Sequence, residues 1–450
     1  MAAPTVIDSV ATDTRTLRGG SGVLFVALRG ERFDGHDHAA AAAAAGVRAL
    51  LVSRELDAGV PQVVVADTTR ALADLAASTQ QDRTGKVVAI TGSNGKTSVK
   101  ALVLSILQRV GSTYANPGNR NNEIGLPLAV IDAPDEADFA IYEMGAGKPG
   151  DIAYLTAVVR PDVSLVNNIA PAHLERMGSL LGVADTKAAI YDALPPGGVA
   201  AINADDAFAP FFAERAHGRR LLRFGIDGNA DIRARDIRQH ADGSRFVLET
   251  PVGEAEVALA LPGRHNVRNA LAAAALALGA GAGLAEIVAG LQAARAVAGR
   301  LVAHRLAGGT TLVDDSYNAN PGSLHAAIET LASTGAPAWL VLGDMRELGD
   351  DAAALHAEAG RQARAAGIAR LYALGPLARE AAHAFGDAAR VFDSHEALAR
   401  ELGKDIAAYA APTETGGGLQ VLVKGSRGSA MDRIVAALLA SHGKGDVDAA

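Results

Sequence analysis

The chain has 450 residues, of which 49% are hydrophobic and 4% aromatic, and its formal net charge is −8. This length allows two to four domains, and the acidic balance argues against a broad surface for nucleic acid or anionic lipid. The absence of cysteine excludes disulfides and thiolate zinc sites. No signal-peptide pattern is present at the N-terminus, and the longest uncharged stretch, residues 270–285, is too short to span a bilayer. We therefore predict a cytoplasmic, monomeric α/β protein that neither binds nucleic acid nor inserts into a membrane.

Residues 1–82 are predicted to form a small α/β domain, because short apolar strands alternate with Ala-rich or amphipathic helical segments. No glycine-rich phosphate-binding turn occurs in this domain. Its polar turns carry candidate ligand-binding residues, namely Asp13, Arg15, Asp34 and His36. Solvated turns explain these residues equally well on chemistry alone.

Segment 87–100 contains the most informative motif of the chain. A β-branched strand is followed by a glycine-rich turn and then by a helix. The turn and first helical residues are Gly92, Ser93, Asn94, Gly95, Lys96, Thr97 and Ser98. Such a turn presents backbone N–H groups to phosphate, while the lysine reaches the β/γ-phosphates and the Thr hydroxyl ligates Mg²⁺. The loop is a short variant, because Ile90 stands where the usual pattern has its first glycine; a simple helix-capping turn is the alternative.

Residues 84–299 are predicted to form the central domain around this loop. Strand 139–143 ends at Glu143, and strand 163–167 precedes His173. Polar groups at the carboxyl ends of parallel strands line a ligand crevice, so both residues are candidate Mg²⁺ ligands beside the loop. A solvated carboxylate and a structural histidine are the alternatives. The polar segment 116–127, with Asn121 and Asn122, also suggests ligand contact.

The rest of the central domain is predicted to contain a helix, a closing strand and a β-rich insertion. The helix spans residues 178–194 and carries Lys187, one of only eight lysines in the chain; spacing alone predicts that it is exposed. Strand 198–203 is expected to end the sheet, and short alternating strands predict the insertion at 221–261. His265, Asn266 and Asn269 then open an Ala-rich helix, where they read a base edge or cap the helix.

Residues 300–442 are predicted to form a third, Rossmann-like α/β domain, with strands near Thr311, Trp339, Leu371 and Val421. Polar motifs follow its strands at 314–321, 343–349 and 424–428. A dinucleotide site is not expected, because no Gly-x-Gly-x-x-Gly has the required flanks. Residues 443–450 are predicted to be a disordered tail.

Taken together, the motifs resemble those of the Mur ligases. The matching segments are 24–28, 34–37, 91–97, 121–127, 143–145, 170–175, 265–269, 314–321, 343–349 and 424–427, so the likeness extends over nearly the whole chain. The most specific are Asp-Asp-Ser-Tyr-Asn-Ala-Asn-Pro, Gly-Asp-Met-Arg-Glu-Leu-Gly and Lys-Gly-Ser-Arg. The resemblance implies three domains, which bind the UDP end of one substrate, ATP, and the incoming amine. The central one would have a P-loop ATPase-like, mostly parallel sheet.

The resemblance also assigns roles to individual residues. It implies that Lys96, Glu143, His173 and a carbamylated Lys187 are catalytic, and that the last three and Thr97 hold Mg²⁺. Relatives usually carry Glu two residues after this lysine, where the chain has Ala189. ATP would be bound by the phosphate loop together with His265, Asn266, Asn269, Arg300 and Asp315. The substrates would be bound by Asp13, Arg15, Asp34, His36, Asn121, Asn122, Asn318, Asn320, Lys424, Ser426 and Arg427.

The implied reaction is ATP-dependent amide formation in peptidoglycan precursor synthesis. Family members that add diaminopimelate or lysine usually carry Asp-Asn-Pro-Arg in the third domain, and this chain does not. The motifs therefore favour joining UDP-N-acetylmuramoyl-tripeptide to D-alanyl-D-alanine. Three alternatives remain: a sister Mur or folylpolyglutamate-type ligase, a regulatory P-loop NTPase, and a catalytically inactive muropeptide-binding module.

Overall fold

The structure is a computed structural model that describes residues 5–17, 22–30, 33–171, 173–240, 242–409 and 418–442. The predicted tail at 443–450 lies outside the described residues. Within them, the strands form three sheets, one for each predicted α/β unit. No helix of these segments is both long and apolar enough to cross a bilayer.

The N-terminal unit is built on a four-stranded parallel sheet, in the order β1-β2-β3-β4. Its elements are β1 (Ser9–Ala11), β2 (Val23–Val26), α1 (Ala39–Ala44), β3 (Ala49–Val52), β4 (Gln62–Val64) and α2 (Thr68–Gln81), with 3₁₀ turns at Thr14–Thr16 and Gly35–His38. Asp67 caps α2 by accepting hydrogen bonds from the N–H groups of Thr69 and Arg70 at 2.8 and 3.0 Å. The apolar face of α2 buries Leu72 and Ala76, which fixes the helix against the rest of the molecule.

The central unit is a nine-stranded sheet with helices on both faces. Its strands are β5 (Lys86–Thr91), β6 (Thr113–Ala115), β7 (Phe139–Glu143), β8 (Val163–Val166), β9 (Val199–Asn203), β10 (Arg220–Gly225), β11 (Ile232–His240), β12 (Gly243–Thr250) and β13 (Gly253–Leu259). Its helices are α3 (Lys96–Leu107), α4 (Gly125–Ile131), α5 (Asp151–Val159), α6 (Leu174–Met177), α7 (Leu180–Asp192), α8 (Ala209–Arg215), α9 (Arg264–Ala280) and α10 (Leu284–Ala293). Along β5, Val88 and Ile90 face α3, α9 and α10, whereas Val87 and Ala89 face the helices of the opposite layer.

The strand order of this sheet is β13-β12-β11-β10-β9-β8-β5-β7-β6, parallel from β6 to β11 and antiparallel beyond it. The predicted β-rich segment is therefore a hairpin extension of the central sheet. The prediction that strand 198–203 ends the sheet is wrong, because β9 pairs with β8 on one side and with β10 on the other.

The C-terminal unit is a six-stranded sheet in the order β14-β15-β19-β16-β17-β18, with only β14 antiparallel among these strands. Its strands are β14 (Val302–Arg305), β15 (Thr311–Asp315), β16 (Ala338–Gly343), β17 (Arg370–Leu374), β18 (Ala389–Phe392) and β19 (Gln420–Lys424). Its helices are α11 (Pro321–Ala332), α12 (Ala352–Ala365), α13 (Ala378–Phe385), α14 (His395–Ala407) and α15 (Asp432–His442), with 3₁₀ turns at Gly349–Asp351 and Arg427–Ser429. This doubly wound arrangement agrees with the predicted Rossmann-like fold.

Candidate active site

The glycine-rich turn leaves the carboxyl end of β5, between the ends of β7 and β8. Gly92 and Gly95 both have positive φ, at 145° and 79°. A Cβ at position 95 would lie 2.6 Å from the side chains of Asn167 and Asn269, so only glycine fits there. The Lys96 ammonium donates to the Gly92 carbonyl at 2.7 Å, and burial lowers the pKa of this lysine. The turn thus presents a cation and a helix N-terminus at one point, as anion binding requires.

A chain of asparagine amides links this loop to α9. Asn94 donates its N–H to Asn168 Oδ1 at 2.8 Å, and its carbonyl accepts from Asn167 Nδ2 at 2.9 Å. Asn167 Nδ2 also donates to Asn269 Oδ1 at 3.1 Å, and Asn269 Nδ2 donates to Asn266 Oδ1 at 3.2 Å. The side chains of Asn266 and Asn269, which are predicted to contact the base, are therefore linked to the phosphate loop by a continuous hydrogen-bond network.

A cavity of about 230 Å³ lies on one side of the loop. It is lined by Asn94, Gly95 and Ser98 of the loop and by the predicted ATP-binding residues His265, Asn266, Asn269, Arg300 and Asp315. Burial lowers the pKa of His265 to about 4, so its ring is neutral at pH 7 and can donate or accept a hydrogen bond. Lys424, which the resemblance assigns to substrate, also lines this cavity.

The Lys424 ammonium forms a buried ion pair with the Asp315 carboxylate and donates to the Asn318 carbonyl at 3.1 Å. Burial raises the pKa of Asp315 and lowers that of Lys424, and the partner's charge opposes each shift. The pair joins the end of β15 to the end of β19 beneath the cavity.

Breaking this pair is expected to destabilise the protein. Lys424→Met should lower the free energy of unfolding by about 3–5 kcal/mol, because it leaves the Asp315 carboxylate buried without a cation. Urea unfolding of the metal-free protein measures the loss. The double variant Asp315→Leu/Lys424→Met should recover most of it, and a single variant as stable as the wild type would contradict the pairing.

A second cavity, of about 440 Å³, lies on the other side of the loop. Several residues predicted to be catalytic or to bind substrate line it, namely Lys96, Asn121, Asn122, Glu143, His173, Asn318 and Arg427. Arg300, which is predicted to bind ATP, lines it as well. Arg300 lines both cavities; its guanidinium stacks 4.2 Å from the Tyr317 ring centroid and donates to Thr97 Oγ1 at 3.4 Å. The phosphate loop therefore separates the two cavities, and Arg300 bridges them.

Glu143 is held in the second cavity by a set of buried partners. Its backbone N–H donates to Asn116 Oδ1 at 2.9 Å, and its carbonyl accepts from Asn116 Nδ2 at 3.2 Å. Its Oε1 accepts from Asn121 Nδ2 at 3.1 Å. Its Oε2 has no hydrogen-bond partner within the described residues, although the Lys100 ammonium lies 3.4 Å away. A buried carboxylate oxygen with a free lone pair facing a polar cavity suits a hard cation.

His173 meets Glu347 across the boundary between the central and C-terminal units. Its Nδ1 lies 2.7 Å from Glu347 Oε2. Both residues have left-handed backbones, with φ of 55° and 63°, a conformation that costs a non-glycine residue about 1–2 kcal/mol. Burial lowers the pKa of His173, and the nearby positive charges of Lys187 and Lys96 lower it further, whereas the negative charge of Glu347 raises it.

Lys187 is buried on α7, with 1% of the residue exposed. The prediction of exposure from spacing is wrong, because α7 packs between the sheet, α5 and α8 and buries residues on several faces. Burial and the charge of Lys96 lower the pKa of Lys187 to about 7. Within the described residues its ammonium makes neither a hydrogen bond nor an ion pair.

Comparison with known proteins places the whole chain in one family. The Mur ligase family model described as a catalytic domain matches residues 6–80, the Mur ligase middle domain matches 90–277, and the Mur ligase glutamate ligase domain matches 299–427. The chain belongs to the Mur ligase family. It is 45% identical to the UDP-N-acetylmuramoyl-tripeptide–D-alanyl-D-alanine ligase of Escherichia coli K12, over 96% of this chain and 94% of that protein.

Solved structures of this Mur ligase family agree with the fold. A MurF crystal structure from Acinetobacter baumannii superposes with a TM-score of 0.90 at 35% identity, covering 97% of this chain and 94% of that one. The MurF ligase of Thermotoga maritima in complex with ADP superposes with a TM-score of 0.84 at 27% identity, covering 96% and 97%.

The remaining predicted residues of this Mur ligase lie farther from the loop or serve as local caps. Asp13 and Arg15 form an exposed pair, and Asp34 holds the buried ring of His36. Asn320 caps α11 and also donates to Asn94 Oδ1 of the loop at 2.7 Å. Ser426 Oγ accepts from the Arg346 N–H at 2.9 Å and donates to the Ala319 carbonyl at 3.1 Å. Their roles in substrate binding stay predictions.

Several residues that shape the site of this Mur ligase were not individually predicted as site residues, although some of them lie in the polar segments 116–127, 314–321 and 343–349. They are Lys100, Asn116, Asn167, Asn168, Tyr317 and Glu347. Asn167 and Asn168 follow β8, so their position at a strand end was an available signal. Lys100 falls one helical turn after Lys96, but its pairing with Glu143 depends on where β7 lies.

Proposed function

We propose that this chain is an ATP-dependent ligase that joins UDP-N-acetylmuramoyl-tripeptide to D-alanyl-D-alanine, in the cytoplasmic synthesis of peptidoglycan precursors. The observation that carries this proposal is the phosphate loop placed between two cavities. The first cavity, with neutral His265 and the amides of Asn266 and Asn269, suits the nucleoside of ATP. The second, with Lys96, Arg300 and Arg427 around it, suits an anionic acceptor next to the γ-phosphate. The names of the similar ligases agree with this reaction.

The reaction proceeds in two steps, because a carboxylate is a poor electrophile. A terminal carboxylate oxygen of the tripeptide attacks the γ-phosphorus, ADP leaves, and an acyl phosphate forms. The amine of D-alanyl-D-alanine then attacks the acyl carbon, and phosphate leaves from the tetrahedral intermediate. Phosphoryl transfer depends mainly on positioning and charge stabilisation, which Lys96, Arg300 and the loop N–H groups supply.

The donor set fits Mg²⁺ as the companion of ATP. Thr97 Oγ1 and Glu143 Oε2 would be oxygen ligands beside the loop, and His173 and a carbamylated Lys187 would complete the set. Glu143 Oε2 accepts no hydrogen bond within the described residues, and a cation there would share it with the Lys100 ammonium 3.4 Å away. Bound Mg²⁺ would neutralise charge on the phosphates. Within the described residues no three acidic or histidine side chains form a ready-made metal cluster. The phosphates of ATP and the modified lysine would therefore have to supply the remaining ligands.

The Lys187 side chain is suited to carbamylation. Burial lowers the pKa of its amine to about 7, so the neutral nitrogen is far more populated than in an ordinary lysine and can attack CO₂ and lose a proton to give a carbamate. The product is an anion, which would replace repulsion from Lys96 by attraction.

One assay tests the proposed reaction. Phosphate release from ATP is expected only when both UDP-N-acetylmuramoyl-tripeptide and D-alanyl-D-alanine are present. Mass spectrometry of the product should show the added dipeptide. Phosphate release at the same rate without either substrate would refute the ligase function. Ligation of a free amino acid in place of the dipeptide would instead identify a different ligase of the same family.

A further inference from the structure

The contact between His173 and Glu347 joins two structural units at the second cavity. His173 precedes α6 of the central unit, and Glu347 lies in the loop after β16 of the C-terminal unit. Their side chains approach to 2.7 Å, and both backbones are left-handed. Two non-glycine residues in this conformation, facing each other across a domain boundary, indicate a constraint from function.

Stability does not explain this contact. The two side chains are 36% and 57% exposed. An ion pair this exposed contributes little to folding, less than the left-handed backbones cost. We therefore attribute the contact to its effect on the orientation of the His173 ring.

The loop that carries Glu347 is anchored from within its own unit. The Met345 N–H donates to His356 Nε2 at 2.9 Å, and the Arg346 N–H donates to Ser426 Oγ at 2.9 Å. Glu347 thus directly follows two residues, Met345 and Arg346, whose backbone N–H groups are hydrogen-bonded within the C-terminal unit. These bonds fix the backbone from which the Glu347 carboxylate extends.

Occupation of Nδ1 by a carboxylate leaves Nε2 as the free ring nitrogen. Histidines that bind metals usually donate their other N–H to a carboxylate or carbonyl, which fixes the tautomer and the ring orientation. We propose that Glu347 is a positioning residue for His173, so that cation binding at His173 depends on docking of the C-terminal unit. This inference rests on the metal role proposed above for His173. It would delay assembly of the site until the unit that binds the amine is in place, which protects the acyl phosphate from water.

The test measures Mn²⁺ binding to the full chain in the presence of ADP, by electron paramagnetic resonance. The variants are Glu347→Ala, Glu347→Gln, His173→Ala and the double variant His173→Ala/Glu347→Ala. Asp350→Asn is the matched control, because Asp350 is exposed in the 3₁₀ turn that follows Glu347 and the change removes the same charge. Thermal unfolding of each metal-free variant checks that the fold is intact.

Glu347→Ala is expected to weaken the His173-dependent binding of Mn²⁺ by about 10- to 100-fold. The double variant should bind no more weakly than His173→Ala, because both changes act through one ligand. Glu347→Gln keeps an acceptor for the ring N–H and should lose less, and Asp350→Asn should match the wild type.

Three results would overturn the proposal: unchanged Mn²⁺ binding in Glu347→Ala, losses that multiply in the double variant, or unchanged binding in His173→Ala. Failure of the proposed function is seen separately, as a wild-type chain that does not join the two substrates. The Mn²⁺ binding measurements on the variants need no catalytic turnover. The positioning role of Glu347 and the ligase function can therefore be refuted independently.

Discussion

Lys96→Ala is expected to abolish ligation, lowering the rate by on the order of 10³-fold or more. The Lys96 ammonium sits at the N-terminus of α3, within hydrogen-bond distance of the Gly92 carbonyl, where it can reach a γ-phosphate. Removing the ammonium removes a positive charge that would stabilise the transition state of phosphoryl transfer. The variant should remain folded, because burial of this cation is itself unfavourable, as its lowered pKa shows.

The measurement is ATP-dependent phosphate release with both substrates, together with calorimetric binding of UDP-N-acetylmuramoyl-tripeptide. Binding should stay close to that of the wild type if, as the resemblance implies, the UDP end binds to the N-terminal unit. Lys404→Ala is the control, because it removes an exposed lysine whose partner among the described residues is surface Glu401. Turnover of Lys96→Ala near the wild-type rate would end the assignment of the phosphate loop.

Lys187→Met is expected to lower the ligation rate by on the order of 10²–10³-fold, because it removes the carbamate that would support the metal. Methionine fills similar volume without a buried charge, so the metal-free variant should unfold at a temperature no lower than the wild type. A short carboxylic acid such as acetate should restore part of the activity to Lys187→Ala by entering the space left by the side chain. Absence of any loss in Lys187→Met would contradict the role.

The pH dependence of the modification follows from the lowered pKa of Lys187. Only the neutral amine reacts with CO₂, and its fraction rises as pH increases through about 7. At constant dissolved CO₂, the carbamate signal in ¹³C nuclear magnetic resonance should therefore increase from pH 6 to pH 8. A lysine with its ordinary pKa would stay almost fully protonated over this range. A protein that shows no carbamate signal at pH 8 would exclude the modification.

The phosphate loop could be predicted in detail because its geometry is local. Strand β5, the positive-φ glycines and the helix beginning at Lys96 all follow from a single run of residues. The alternation of strands and helices likewise predicted the three α/β units, and the family motifs predicted the ligase. The sequence did not predict that the β-rich segment extends the central sheet. This extension depends on the pairing of β10 with β9, which the residue pattern of β10 alone does not specify.

Buried charges show most clearly what sequence alone left open. Spacing suggested an exposed Lys187, yet the packing of α7 against the sheet buries it and lowers its pKa. The pairing of Lys424 with Asp315 could not be predicted from the sequence, because it depends on β19 lying beside β15; its role in substrate binding stays a prediction. The approach of Glu347 to His173 depends on how the C-terminal unit lies against the central unit, which the sequence does not show.

The sequence by itself therefore determined the residue types, the strand, glycine-rich turn and helix around Lys96, and the family, because these depend on contiguous motifs. Tertiary structure decided which charges are desolvated and which side chains meet across the units. Desolvation and pairing depend on distances between segments far apart in the chain, and those distances exist only once the sheets are assembled. The loop, its two cavities and the Glu347–His173 contact are the features on which the proposed ligase now depends.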